Sequence, residues 1–128
     1  MKIKQRKGVD KKLDDCWSLL VKLKAGMKCE VCYKTTFLNS HHIYSRSKKS
    51  TRWHVQNGIC LCVGCHTFSS KFSAHKTPLE FTQWLIKYKG QDYIDRLQIR
   101  ANTVSKLHQF EKELLLDELN KEIKNLNK

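Results

Sequence analysis

One proline and five glycines in 128 residues leave the chain little from which to build a flexible linker between domains. Acidic residues are scarce as well: 12 Asp and Glu stand against 25 Lys and Arg, for a formal net charge of +13. No stretch approaches the ~20 consecutive apolar residues of a membrane span, and no segment repeats or falls to low complexity. The basic start, MKIKQRKGVDKK, leads to no apolar run with a cleavage site, so it does not read as a signal peptide. These absences exclude a string of domains and a membrane helix. They leave one small domain with a helical extension, expected inside the cell and away from membranes. In that reducing setting the six cysteines point to metal rather than to disulfides.

The positive charge is unevenly placed. Residues 1–60 hold 14 Lys and Arg against 4 Asp and Glu, whereas residues 61–128 hold 11 against 8. A polyanionic partner fits this bias; a generic, solubilising basic surface is the plainer alternative.

The apolar pattern divides the chain into a flexible basic arm over 1–10, a central domain over 11–90 and a helical C-terminal extension over 91–128. Leu13, Trp17, Leu20 and Val21 recur at helical spacing and predict a helix over about 11–25, with Gly26 as its left-handed stop. Residues 29–62 show no helical period and predict strands and loops. A second helix is expected from Val63 to about Phe72. HKTPLEF spells a third start, with Thr77 as N-cap, Pro78 at the first position and Glu80 closing a capping box. Its buried stripe would be Phe81, Trp84, Leu85 and Tyr88, ended by Gly90. A last helix or helix pair covers 91–126, with Val104, Leu107, Leu114 and Leu119 among its apolar positions. Leu116, Leu119, Ile123 and Leu126 form one seam. Two fates are open to that seam: folding back on the Trp84–Tyr88 stripe, or pairing two copies in a homodimer.

Chemistry concentrates in CEVC (Cys29, Cys32) and CVGC (Cys62, Cys65). Each CxxC grips a metal from one tight knuckle, and two pairs complete the tetrahedral thiolate shell that zinc prefers. Such a closed site staples a fold and leaves no open position for catalysis. Twenty-nine residues separate the pairs, more than the ~15–20 of a plain zinc ribbon, so something is built between them. Cys16 and Cys60 read as buried structural thiols. Between the knuckles stands His41-His42, and His66 follows the second knuckle directly. Neighbours on an extended chain point in opposite directions, so one histidine of the doublet can face a metal while the other faces a water. Phosphodiester hydrolysis at a metal needs that pairing of a base and a cation. Arg46, Lys48, Lys49 and Arg52 would clamp phosphate or form a solvated loop; Trp53 reads as core sooner than as a base-stacking platform.

The pattern HHI … NGICLCVGCH over residues 29–75 resembles the HNH, or ββα-metal, endonucleases with a CxxC-bounded zinc site. The flanking DDCWSLLVKLKAGMKCEVC and AHKTPLEFTQWLIKYKG are similar to phage-encoded NinG-type recombination nucleases. The resemblance implies an α+β fold: a small zinc-stapled ββα-metal core flanked by helices. It implies that His41 and His66 bind a catalytic divalent metal (Mn²⁺, Ni²⁺, Zn²⁺ or Mg²⁺) beside a structural Zn²⁺. It makes His42 the general base and Asn57 the residue that pins the loop carrying it. A further ligand often lies one turn after the position of His66, where this chain has Ser70, a poor donor; His75 takes that role if the helix ends early. The proline often found after the doublet is absent, with Ser45 and Arg46 in its place. The implied function is a metal-dependent DNA endonuclease in a phage-infected or prophage-bearing host, leaving 5′-phosphate and 3′-hydroxyl ends; its partner is DNA, with branched or junction DNA one candidate form. The alternative is a zinc-stapled nucleic-acid-binding module without catalysis, which would have no use for His41, His42 and Asn57 together.

Overall fold

The computed structural model describes residues 8–103 and 106–127. It is a mixed α+β fold: helix α1 (Gly8–Lys24), strand β1 (Leu38–His42), a short helix α2 (Lys49–Arg52), strand β2 (Gly58–Cys62), and helices α3 (Pro78–Lys89), α4 (Gln91–Ala101) and α5 (Gln109–Leu126). A 3₁₀ turn, Val55–Asn57, leads into β2, and a π turn, Gly64–Phe68, follows it. None of the described helices is long and apolar enough to cross a membrane. Of the expected basic arm, residues 1–7 lie outside the described residues, and Gly8, Val9 and Asp10 already belong to α1.

The two strands pair antiparallel, with His41 opposite Ile59 and His42 opposite Gly58. Side chains alternate across this hairpin and so sort it into two faces. On one face, Ser40 Oγ donates to the Ser18 carbonyl (2.7 Å), and Cys60 joins a core of Leu13, Trp17, Leu20, Val21, Trp53 and Leu119. On the other, Ile59 and Leu61 pack with Phe81 and Leu85 of α3. Fully burying each of these large apolar side chains contributes about 1.5–3 kcal/mol, so the thin hairpin is held mainly by the helices that cover it.

Helix α1 stops where the sequence places the stop. Gly26 turns left-handed (φ 73°), and the Met27 N–H reaches back to the Lys22 carbonyl (2.9 Å). Thr77 and Pro78 open α3 as expected, but the capping box does not form. The Thr77 hydroxyl is committed to Ser73 instead, accepting from its N–H (2.9 Å) and donating to its carbonyl (3.0 Å). Tyr88 is also turned from core to surface: it is 47% exposed, stacks on Trp84 (4.9 Å) and donates to Glu30 Oε1 (2.7 Å).

The helix expected over Val63–Phe72 is cut to the π turn. Ser69 Oγ accepts the N–H groups of Lys71 and Phe72 (both 3.3 Å), which draws the backbone out of helix there. The C-terminal seam folds back, but onto α1 rather than onto the Trp84–Tyr88 stripe. Leu119 is buried among Leu13, Trp17 and Leu20, with Leu107, Leu116 and Ile123 beside it. Lys112–Asp10 (2.9 Å) and Lys24–Glu122 (3.5 Å) flank the contact, and Cys16 Sγ lies 3.4 Å from Asn120 Oδ1. Leu126 and Leu114 stay exposed, and Val104 lies outside the described residues.

Candidate metal centres and active site

Two groups of side chains that could hold a metal draw on the hairpin and on the turn that follows β2. The sulfurs of Cys29, Cys32, Cys62 and Cys65 all lie within 4.8 Å of one another. Sulfurs bound about 2.3 Å from one tetrahedral ion stand roughly 3.8 Å apart, and Cys32 and Cys62 are already at 3.5 Å. Each knuckle turns a backbone N–H onto its first sulfur: Cys32 N–H onto Cys29 and Cys65 N–H onto Cys62, both 3.5 Å. Burial raises the Cys29 thiol, but N–H groups of Cys32, Cys62 and Val31 outweigh it and bring the thiol down to about 7. Burial pushes Cys65 up, with the Cys62 sulfur adding to it. One thiolate is thus available near neutral pH, and a cation would draw the remaining protons off. The four cysteines form a candidate structural zinc site. Cys60, raised to about 11 by burial and by Glu30, faces the α1 core and is no part of it.

Glu30 ties the first knuckle to the sheet. Its N–H donates to the Cys60 carbonyl (2.9 Å) and its Oε2 accepts the Cys60 N–H (2.8 Å), pairing the free edge of β2.

The second group is His41, His66 and His75, each offering a ring nitrogen within 4.8 Å of the others. Alternation along β1 turns His41 to the face away from α1, where its ring sits edge-on to both His66 (5.0 Å) and His75 (5.5 Å). The π turn carries His66 one residue past Cys65. Because that turn stops at Phe68, the chain returns, and the His75 N–H donates to the His66 carbonyl (3.0 Å). The Nε2 atoms of His66 and His75 are 3.1 Å apart. Two nitrogens about 2.1 Å from a shared ion stand at about that spacing. The Nδ1 of His66 is buried without a partner. Burial first, then His66, His75 and His42, hold His41 down to about 3; burial and His75 lower His66. Burial and the neighbouring rings thus favour the neutral form of His41 and His66, the state in which an imidazole can bind a divalent metal.

His42 takes the opposite face. Its ring stacks on Trp17 (3.8 Å, 10° between planes), and its Nε2 lies 2.9 Å from the Arg52 carbonyl oxygen. A carbonyl can only accept, so Nε2 carries the proton and Nδ1 the lone pair. Burial, helped by Arg46 and Arg52 and opposed by the Arg52 carbonyl and Asp14, keeps the ring below its ordinary pKa. Asn57 is fully buried and grips the residue two places after His42 at both ends: Oδ1 accepts the Tyr44 N–H (2.8 Å) and Nδ2 donates to the Tyr44 carbonyl (3.0 Å). The Asn57 carbonyl also accepts the Ile43 N–H (2.9 Å).

The basic loop is split. Lys48 and Lys49 are exposed. Arg46 is more than half exposed, with a 3.4 Å contact to Asp14. Arg52, expected on the phosphate-binding face, is turned inward: it forms a two-point pair with Asp14 (3.1 and 2.8 Å), its side chain only 13% exposed. Asp14 also accepts the Trp53 indole N–H (2.8 Å), and Trp53 is core. Asp14 and Trp17 are the positions that sequence reasoning did not assign to the site. Their one signal is a carboxylate one residue from Leu13 and one turn before Trp17, on the margin of an apolar helix face.

Comparison with protein-family models, with characterised proteins and with solved structures finds no match for this chain.

Proposed function

We propose that the chain is a metal-dependent DNA endonuclease of the ββα-metal (HNH) type, of the kind found among phage recombination nucleases. The observation that carries the reading is the division of labour at the end of one hairpin. His41 joins two further imidazoles on one face, while the next residue, His42, carries its lone pair on Nδ1 on the other. A zinc-stapled binding module has no use for that pairing.

In the proposed reaction His42 Nδ1 accepts the proton of the water that attacks phosphorus. Its competence comes from the chain around it. The Arg52 carbonyl fixes the tautomer, Trp17 fixes the ring plane, and Asn57 fixes the backbone that follows. Asp14 acts one step further out, by holding Arg52. A divalent metal held by His41, His66 and His75 would supply Lewis-acid stabilisation of the charge on the phosphate and the leaving 3′ oxygen. Lys48, Lys49 and Arg46 supply the field that attracts DNA to this side. A homodimer through the C-terminal helix would have to form outside the Leu119 seam, which α1 already covers.

The test is plasmid cleavage by zinc-loaded protein with Mn²⁺, Ni²⁺ or Mg²⁺ added in turn. Imidazole ligands favour Mn²⁺ and Ni²⁺ over Mg²⁺, so the first two should support cutting at least as well, and His75→Ala should weaken that dependence. Intact plasmid under all three metals would refute the reading; strict dependence on Mg²⁺ would remove the three-histidine metal site from it.

A further inference from the structure

The zinc knuckles display two large aromatic rings that the fold does not use. Tyr33 is 67% exposed and Phe37 79%. Both sit in left-handed backbone, φ 67° and 53°, a region that bulky residues rarely adopt. Neither ring joins either apolar core. Their backbones are nevertheless firmly held. The Tyr33 N–H donates to the Cys29 carbonyl (2.9 Å), and the Phe37 carbonyl accepts the N–H of Val63, the residue after Cys62. Strained residues that persist with exposed side chains point to a surface use.

The surroundings say what would sit there. Between the rings lies a groove of about 480 Å³ lined by Lys34, Thr35, Thr36, Cys62, Val63 and Gly64, with no carboxylate among its walls. The Lys28 ammonium stands 5.8 Å over the Tyr33 ring. Aromatic faces flanked by lysines and hydroxyls suit bases stacked on rings with their phosphates held alongside. Phe37 directly precedes β1, so its Cα lies about 13 Å from that of His41 along the strand. That is roughly four stacked nucleotides of one strand.

We propose that residues 33–37 form a stacking seat for unpaired nucleotides. This rests on the nuclease reading and deepens it: the seat would hold an unpaired stretch of the substrate a few nucleotides from the scissile bond.

The experiment measures fluorescence anisotropy of the full zinc-loaded chain, without added divalent metal, on three probes: an oligo(dT) of about 16 nucleotides, an abasic strand of equal length, and a perfect duplex. The wild type should prefer oligo(dT) to the abasic strand. Phe37→Ala and Phe37→Gly should each lose about tenfold on oligo(dT) and leave the other two probes unchanged. Phe37→Gly relieves the left-handed strain and should melt at or above the wild type, which separates lost stacking from lost folding. Unchanged oligo(dT) affinity in Phe37→Gly, an equal loss on all probes, or a wild type indifferent to bases would each overturn the seat. Base-dependent binding lost in both variants, with no DNA cut under any metal, would keep the seat and refute the nuclease. Plasmid cleavage with Phe37 variants that bind like wild type would do the reverse.

Discussion

Helix α1 lies against the start of β2 with no room for a side chain between them, and Gly58→Ala tests that contact. Gly58 has φ −121° and ψ 143°, ordinary extended backbone, so alanine meets no conformational obstacle. The obstacle is space. A Cβ there would lie 2.3 Å from Val21 Cγ2 and 2.9 Å from Trp17 Cζ2. Carbon atoms rest at about 3.5–4.0 Å, so α1 would have to back away by roughly 1 Å. Overpacking of this kind costs about 1–3 kcal/mol, and with two buried clashes we expect about 2–3. For a chain of this size that lowers the melting midpoint by roughly 8–12 °C. Because the displaced Trp17 ring is the one stacked on His42, cleavage should fall in protein that is still folded. Val21→Ala removes both Cγ atoms, so the double variant should melt above Gly58→Ala alone, a coupling of about 1–3 kcal/mol in a double-mutant cycle. The assays are calorimetry and plasmid nicking. A Gly58→Ala midpoint within about 1 °C of wild type, or strictly additive losses, would refute this account of the α1–β2 contact.

Four further outcomes are expected. His42→Ala should retain zinc and DNA affinity while slowing plasmid cleavage by ~10²–10⁴, and a rate within a few-fold of wild type would remove it as the base. Cys62→Ser should lose zinc and, with it, cooperative folding, so a folded, zinc-free variant by circular dichroism and metal analysis would contradict the structural site. In metal-free protein, His41 is depressed from 6.5 to about 3. The unfolded chain therefore binds more protons across that window, and stability is full above about pH 6.5 and lost as pH falls toward 3, by at most about 5 kcal/mol. Urea titrations at pH 7 and pH 4.5 read this, and the difference should shrink in His41→Asn. Truncation after Asn102 removes Leu119 from the α1 core. It should lower the midpoint by well over 10 °C or abolish the transition, and a truncated chain that melts like wild type would show α5 to be dispensable.

What was legible in the sequence was legible because it is local or chemically unmistakable. The four cysteines declare a site by spacing alone, Gly26 and Pro78 punctuate helices by their backbone limits, and a histidine doublet on a strand must face two ways. What was missed depends on partners far along the chain. Periodicity shows that α5 has an apolar seam, yet not that its seat is α1 rather than α3, since both offer apolar stripes. Arg52 looked like its neighbours in a basic loop; its pairing with Asp14, 38 residues earlier, is invisible to any local pattern. Gly58 carried a readable hint, a glycine at a strand start that marks close backbone approach, though the helix that approaches it could not be named. The shortened turn after Cys65 turned on one serine hydroxyl, Ser69, outcompeting the helical ladder.

The clasp between α1 and α5 joins residues as far apart as Asp10 and Lys112, and this sets an order in time. Contacts between neighbouring segments close quickly, whereas a loop of that length closes late. The cysteine knuckles and hairpin can therefore assemble while the outer face of α1 is still bare, and the core that includes Trp17 is complete only when α5 docks. Docking of α5 is then expected as a late step, so a partly folded molecule should bind zinc at the four cysteines before the α1 core is complete.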